Sequence, residues 1–107
     1  TIPQYLFENC SNATNFSNTF TNCNKLRLVS NLFGVEDAYG FSTRFANKAM
    51  NFSSTFSRVT FTGVQGIAPQ LWLYTYNSIT STYCFTGAGN SSTSLTNYTN
   101  IPASGWK

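Results

Sequence analysis

Trp72, Tyr74 and Tyr76 stand at alternate positions of the segment 70–76, with Leu71 and Leu73 between them. On a β-strand, successive side chains point to opposite faces, so the three rings would form one row spaced about 6.6 Å apart. The two leucines would point the other way, into a core. No other part of the chain constrains the fold as tightly, because alternation with period two does not suit a helix.

The surrounding sequence extends the same reading. Val59-Thr60-Phe61-Thr62 alternates apolar and polar and stops at Gly63, as a half-buried strand does. Asn77-Ser78 is a hairpin connection into a strand over 80–86, and a further short strand is expected around 95–98. Residues 26–33 fit either period, and Gly34 ends them either way. Ala38, Phe41, Phe45, Ala46 and Ala49 follow helical spacing, but Gly40 weakens the first turn. Ser42 can then cap one short helix around residues 43–50. The expected fold is mainly β, a small antiparallel β-sandwich or barrel-like domain with that one helix.

At 107 residues the chain has the length of a single domain, 1–107, with a modest core. Residues 1–24 read as a polar N-terminal loop or arm, containing Tyr5-Leu6-Phe7 and pinned by Phe16 and Phe20. The main strands occupy 52–86, and 87–107 is a polar loop and tail. No internal repeat stands out; 1–24 and 87–100 share composition, not sequence.

Charged residues make up only 8% of the chain, far below the roughly 25% usual for soluble domains. Neutral polar groups, or attached sugar, must therefore keep it in solution. The aromatic content of 17% argues against disorder. The net charge of +3 is spread thinly over Arg44, Lys48, Arg58 and the Lys25/Arg27 pair, which leaves no phosphate-tracking surface and disfavours nucleic acid. No stretch approaches eighteen consecutive apolar residues, and no leader-like segment opens the chain, so a secreted protein whose signal peptide has been removed is expected.

Six Asn-x-Ser/Thr triplets support an extracellular setting: Asn9, Asn12, Asn15, Asn51, Asn90 and Asn97 are formal acceptors for N-linked glycan. Thirteen Asn and twenty-eight Ser and Thr would yield roughly three or four by chance, so the excess is modest. Cys10, Cys23 and Cys84 form an odd set. A Cys10–Cys23 disulfide closing a short polar loop is expected, with Cys84 buried or bonded to another chain.

Catalysis finds little to work with. The chain has no histidine, and its only acids are Glu8, Glu36 and Asp37. Triads and His-ligated metals are therefore excluded within it, and no phosphate loop, zinc pattern or calcium loop appears. A carboxylate pair of Glu8 with Glu36 or Asp37 is the one enzymatic arrangement left, and a non-enzyme without metal or cofactor is expected.

The positive feature is the aromatic row. Exposed on a sheet, Trp72, Tyr74 and Tyr76 would stack against sugar rings or anchor a protein, with Arg58 and neighbouring amides and hydroxyls adding polar contacts; turned inward, the same row would be the core of a sandwich with the leucines covered by the helix. The overall texture resembles a piece of a glycosylated surface or envelope protein, such as a viral spike-like subunit or an adhesin. That resemblance implies an attachment or recognition domain for a host glycan or cell-surface protein, displayed on a cell or virion. The alternative is a structural subunit of a surface filament, coat or wall, self-associating by packing or through an inter-chain disulfide at Cys84.

Overall fold

In the structure, a computed structural model, residues 2–10, 12–23, 26–34, 43–59, 66–88 and 95–107 are described. Regular secondary structure is sparse among them. Strand β1 (Ala49–Asn51) pairs in parallel with β2 (Ser78–Thr80), in the register Ala49↔Ser78, Met50↔Ile79, Asn51↔Thr80. An isolated parallel bridge joins Asn15 to Asn51. Leu71–Leu73 and Tyr98–Asn100 are single 3₁₀ turns, and Ala103–Trp106 is a four-residue helical segment, α1. The antiparallel sandwich or barrel expected from the sequence is not what these residues form.

What they form is a stack of parallel tiers made mostly of turns. The main-chain N–H groups of Phe16, Asn18, Phe20 and Asn22 donate to the carbonyls of Asn51, Ser53, Thr55 and Ser57. Those of Phe52, Ser54, Phe56 and Arg58 donate in turn to Thr80, Thr82, Cys84 and Thr86. Phe85 N–H then donates to Trp106 O at 2.7 Å, so α1 lies on the third tier as the start of a fourth. Three segments, 15–23, 51–59 and 80–88, therefore occupy equivalent places.

Read in this register, the segments are a nine-residue repeat: Asn-Phe-Ser-Asn-Thr-Phe-Thr-Asn-Cys, Asn-Phe-Ser-Ser-Thr-Phe-Ser-Arg-Val and Thr-Ser-Thr-Tyr-Cys-Phe-Thr-Gly-Ala. Each makes two consecutive turns closed by an N–H to carbonyl bond three residues back, such as Thr19 to Phe16 and Cys23 to Phe20. The third residue of each turn has positive φ: Asn18, Asn22, Ser54, Arg58, Tyr83 and Gly87. The residue before it does not, which makes these type II turns. In α1, Ser104 (φ −87°, ψ 115°) and Gly105 (φ 86°, ψ −10°) take the same shape.

The turns aim two residues in four inward, their first and last, and the inward rings stack tier on tier. The rings of Phe20 and Phe56 lie 5.8 Å apart at 15°, and those of Phe56 and Phe85 lie 5.1 Å apart at 13°. Phe16 and Phe52 form a second stacked pair at 5.7 Å, which Phe33 meets edge-on. Thr55, wholly buried, sits between tiers with its hydroxyl 2.9 Å from Phe16 O and 2.7 Å from Phe52 O. Cys84 holds the equivalent place one tier on.

A second side of the coil is laced in the opposite sense, the later segment donating to the earlier. Ile67 N–H donates to Leu28 O, and Thr96 N–H to Gly66 O. Gly66 is required there, since a Cβ would lie 2.7 Å from the main-chain nitrogen of Leu28. The Asn97 amide closes this side, accepting from Ala68 N–H at 2.9 Å and donating to Ala68 O at 3.0 Å.

Several sequence expectations change accordingly. The helix around 43–50 is a run of turns (Ala46 N–H to Thr43 O, Lys48 N–H to Phe45 O) leading into β1. Of its apolar set, Phe45 enters the core, Ala46 is half-buried and Ala49 is exposed, Ala38 and Phe41 lie outside the described residues, and Met50, which does not belong to that spacing, is buried. The 70–76 strand is a 3₁₀ turn followed by extended chain, and β2 runs parallel to β1 instead of forming a hairpin. The expected 95–98 strand is a turn running into the 98–100 3₁₀ segment. The strand expected over 59–62 lies outside the described residues except for Val59, which is buried.

Candidate recognition face

The residues picked out by alternation serve the core. Tyr74 is buried and stacks on Phe45 at 5.8 Å. Tyr76 stacks on the other side of the same cluster, 5.9 Å from Phe45 at 6°, and donates its hydroxyl proton to Leu71 O at 2.8 Å. Trp72, half-buried, meets Phe85 edge-on at 5.9 Å. Because 71–73 turn in a 3₁₀ helix, the three rings do not line up on one open face. The expected aromatic platform is thus replaced by three separate core contacts.

Burial marks the chemistry of this region. Removal from water raises the Tyr76 hydroxyl and the Cys84 thiol well above their ordinary values of 10.0 and 9.0. Both groups stay protonated in the fold while the unfolded chain would ionise, so their stabilising contribution is complete below about pH 8 and declines as pH rises past it. Urea melts should show stability falling between pH 8 and about 10.5, with the Cys84→Ala variant losing the lower part of that decline. The same burial predicts thiol-reagent labelling of Cys10 in the native state and of Cys84 only on unfolding. A Cys84 that reacts as fast as Cys10 would contradict its position.

All three cysteines are separate thiols, so the Cys10–Cys23 bridge expected from their spacing is not formed in this structure. Cys23 holds the inward ninth position of the repeat, equivalent to Val59 and Ala88. Cys84 is fully buried in the single chain.

The acceptor triplets turn out to include local turn devices. Asn15 Oδ1 accepts from the N–H and hydroxyl of Ser17 at 3.0 and 2.6 Å, and Asn51 Oδ1 does the same for Ser53 at 3.0 and 2.8 Å. Such Asx turns are a reason for Asn and Ser two residues apart that involves no sugar. Asn97 is buried with both amide ends committed to Ala68. Asn9, Asn12 and Asn15 are exposed, Asn51 is half-buried, and Asn90 lies outside the described residues.

The face that remains is the outer side of the turns. Each tier projects its two positive-φ residues: Asn18 and Asn22, then Ser54 and Arg58, then Tyr83 and Gly87. Left-handed backbone costs an L-residue about 1–2 kcal/mol, which Asn and Gly largely escape. Arg58 (φ 58°) and Tyr83 (φ 59°) do not escape it, and both are exposed, Tyr83 at 61%. The stem of Arg58 runs over Gly87, whose missing side chain leaves room for it: a Cβ there would sit 3.4 Å from Arg58 Cγ. The second residues of the turns, Ser17, Thr21, Ser53, Ser57, Thr82 and Thr86, place hydroxyl-bearing positions next to the positive-φ residues in the chain.

Arg58 was legible in the sequence as a candidate; Tyr83 was not, because nothing local marks it as a turn residue. Glu8 is exposed, while Glu36 and Asp37 lie outside the described residues. Among the described residues, no group of three or more Asp, Glu, Cys or His could hold a metal. Arg44 stays near the core surface, donating to Glu8 O and lying 5.8 Å from the Phe45 ring. Comparison with family models, with curated proteins and with solved structures gives no match for this chain.

Proposed function

We propose that this chain is an extracellular, non-catalytic recognition domain that binds a surface glycan through the outer face around Tyr83 and Arg58. The observation that carries the reading is the retention of two large side chains in left-handed backbone within the tiers, Arg58 and Tyr83, at places where the neighbouring tiers carry Asn, Ser or Gly; Tyr5, in the N-terminal arm, is a third such residue outside them. Residues held in costly conformations cluster at binding sites, where function offsets the strain. The chemistry suits a sugar. An exposed phenol ring stacks on the C–H face of a pyranose, a guanidinium forks to hydroxyls or a carboxylate, and the flanking hydroxyls and amides complete the hydrogen bonding.

The test separates binding from folding. Arg58→Gly and Tyr83→Gly fit the turns better than the native residues, so each variant should be at least as stable as the parent. On a glycan array with neutral and acidic sugars, each should lose about tenfold or more in affinity, as expected for the loss of an interface anchor. Unchanged glycan binding in both variants would sink the proposal, and retention of a protein ligand alone would move the site to a protein partner.

A structural subunit of a surface filament or coat is the second reading. The low share of charged residues, 8%, which leaves packing surfaces without like-charge repulsion, favours it.

A further inference from the structure

The three tiers carry a single charge. Across 15–23, 51–59 and 80–88, Arg58 is the only charged residue, and no acid lies anywhere in 38–107. Glu8, the one acid among the described residues, stands beside Arg44, its Cγ 3.5 Å from where a Gly34 Cβ would be. The other cations of 38–107 are placed differently. Arg44 donates to Glu8 O and lies against the Phe45 ring, Lys107 sits 4.4 Å over the Tyr98 ring, and Lys48 is half-buried. The Arg58 guanidinium is exposed, and among the described residues no carboxylate or ring meets it.

Its stem is nevertheless held. A Cβ on Gly87 would lie 3.4 Å from Arg58 Cγ and 3.8 Å from Arg58 Cα, so the stem runs along the surface that Gly87 leaves bare. Arg58 N–H donates to Thr86 O at 2.8 Å, and Thr86 N–H donates to Tyr83 O at 3.3 Å. Thr86 therefore joins the main chains of the two exposed residues. A guanidinium on a held stem gives up less side-chain freedom on binding than a free one. Its planar fork matches the two oxygens of a carboxylate, where an ammonium would act only as a point charge.

We infer that the glycan bound at Tyr83 and Arg58 is an acidic sugar, its carboxylate forked by the Arg58 guanidinium while a pyranose face lies on the Tyr83 ring, which rests on the recognition reading proposed above. No carboxylate in the tiers competes for the guanidinium, so a ligand carboxylate meets no repulsion there and displaces no partner. Uronic acids and sialic acids are sugars of this kind. One cation suits one carboxylate. A densely sulfated chain needs a row of cations along its length, and the tiers hold no second.

A glycan array that pairs each uronate and sialylated sugar with its neutral methyl ester tests this on the unaltered protein. At least one acid should bind about tenfold more tightly than its ester. Raising salt from about 0.05 to about 0.5 M should weaken the acid and leave the ester unchanged. Arg58→Asn should bring the acid down to the level of the ester. Asn22 already holds the equivalent place in the first tier, so this variant keeps the fold and should melt no lower than the parent. Arg58→Lys keeps the charge without the fork and should retain only part of the preference for acid. Equal affinity for acid and ester, lost in Tyr83→Gly but not in Arg58→Asn, would overturn the acidic class and leave glycan recognition standing. A preference for sulfated sugars over carboxylates would overturn it as well. Failure to bind any sugar would remove both readings.

Discussion

Phe56→Ala should be among the most damaging single substitutions in this protein. The Phe56 ring is fully buried and sandwiched between Phe20 and Phe85 at 5.8 and 5.1 Å, both nearly parallel. Truncating a buried Phe costs about 3–5 kcal/mol through lost transfer energy and the cavity left behind. Neighbouring rings cannot collapse into that cavity, since each is held by backbone bonds between tiers. The main-chain bonds of Phe56 to Cys84 O and of Val59 to Phe56 O survive, so the loss belongs to the ring column. For a domain of this size a loss of that order lowers the melting temperature by about 15 °C or more. Thermal melts followed by circular dichroism read it directly. A drop of under about 1 kcal/mol would show that the column is not packed as described.

Asn97→Leu should rival it by a different route. The Asn97 amide pairs with both polar groups of the Ala68 backbone, and Ala68 is wholly buried. Leucine keeps the volume and removes both partners, leaving an N–H and a carbonyl unpaired inside. Each unpaired buried group costs about 1–3 kcal/mol, so the pair is worth about 2–6 kcal/mol. Asn97→Ala should cost less than Asn97→Leu if water can enter the space, because water would restore one bond or both. Chemical denaturation of the two variants gives the ordering. Wild-type stability in Asn97→Leu would remove this amide from the framework and reopen Asn97 as a surface acceptor.

These two residues show where reading the chain alone succeeded and where it failed. The large apolar residues were recognisable as core, and Phe16, Phe20 and Phe45 do enter it or pack against it. Alternation read as a strand period puts Tyr74 and Tyr76 in one row, either on an open face or in a sandwich core. In the fold the same spacing is met by a 3₁₀ turn followed by extended chain, and burial of seventeen per cent aromatics prevailed over exposure. Asn97 read as a glycan acceptor, yet its amide serves as a backbone partner. Its neighbours in sequence contain nothing that announces Ala68, which lies 29 residues away.

The repeat explains the larger failure. Its copies begin at 15, 51 and 80, so the spacing is uneven, and the third copy replaces Phe by Ser81 and Thr by Cys84. Pairwise similarity is then confined to small polar residues that are abundant everywhere in the chain. The Asn-x-Ser excess was a partial trace of it, since two of those triplets are the same Asx turn in successive tiers.

Sequence by itself determined the local chemistry: turn-prone Asn, Ser, Thr and Gly at short intervals, and an aromatic core drawn from a charge-poor chain. Those choices set where the backbone bends and which side chains avoid water. Only the tertiary structure decided that the bends stack in parallel tiers and that Arg58 and Tyr83 stand exposed at left-handed turn positions. The physical reason is that type II turns satisfy only part of their backbone locally. The remaining N–H and carbonyl groups must find another tier, and which tier they find depends on contacts between residues some thirty positions apart.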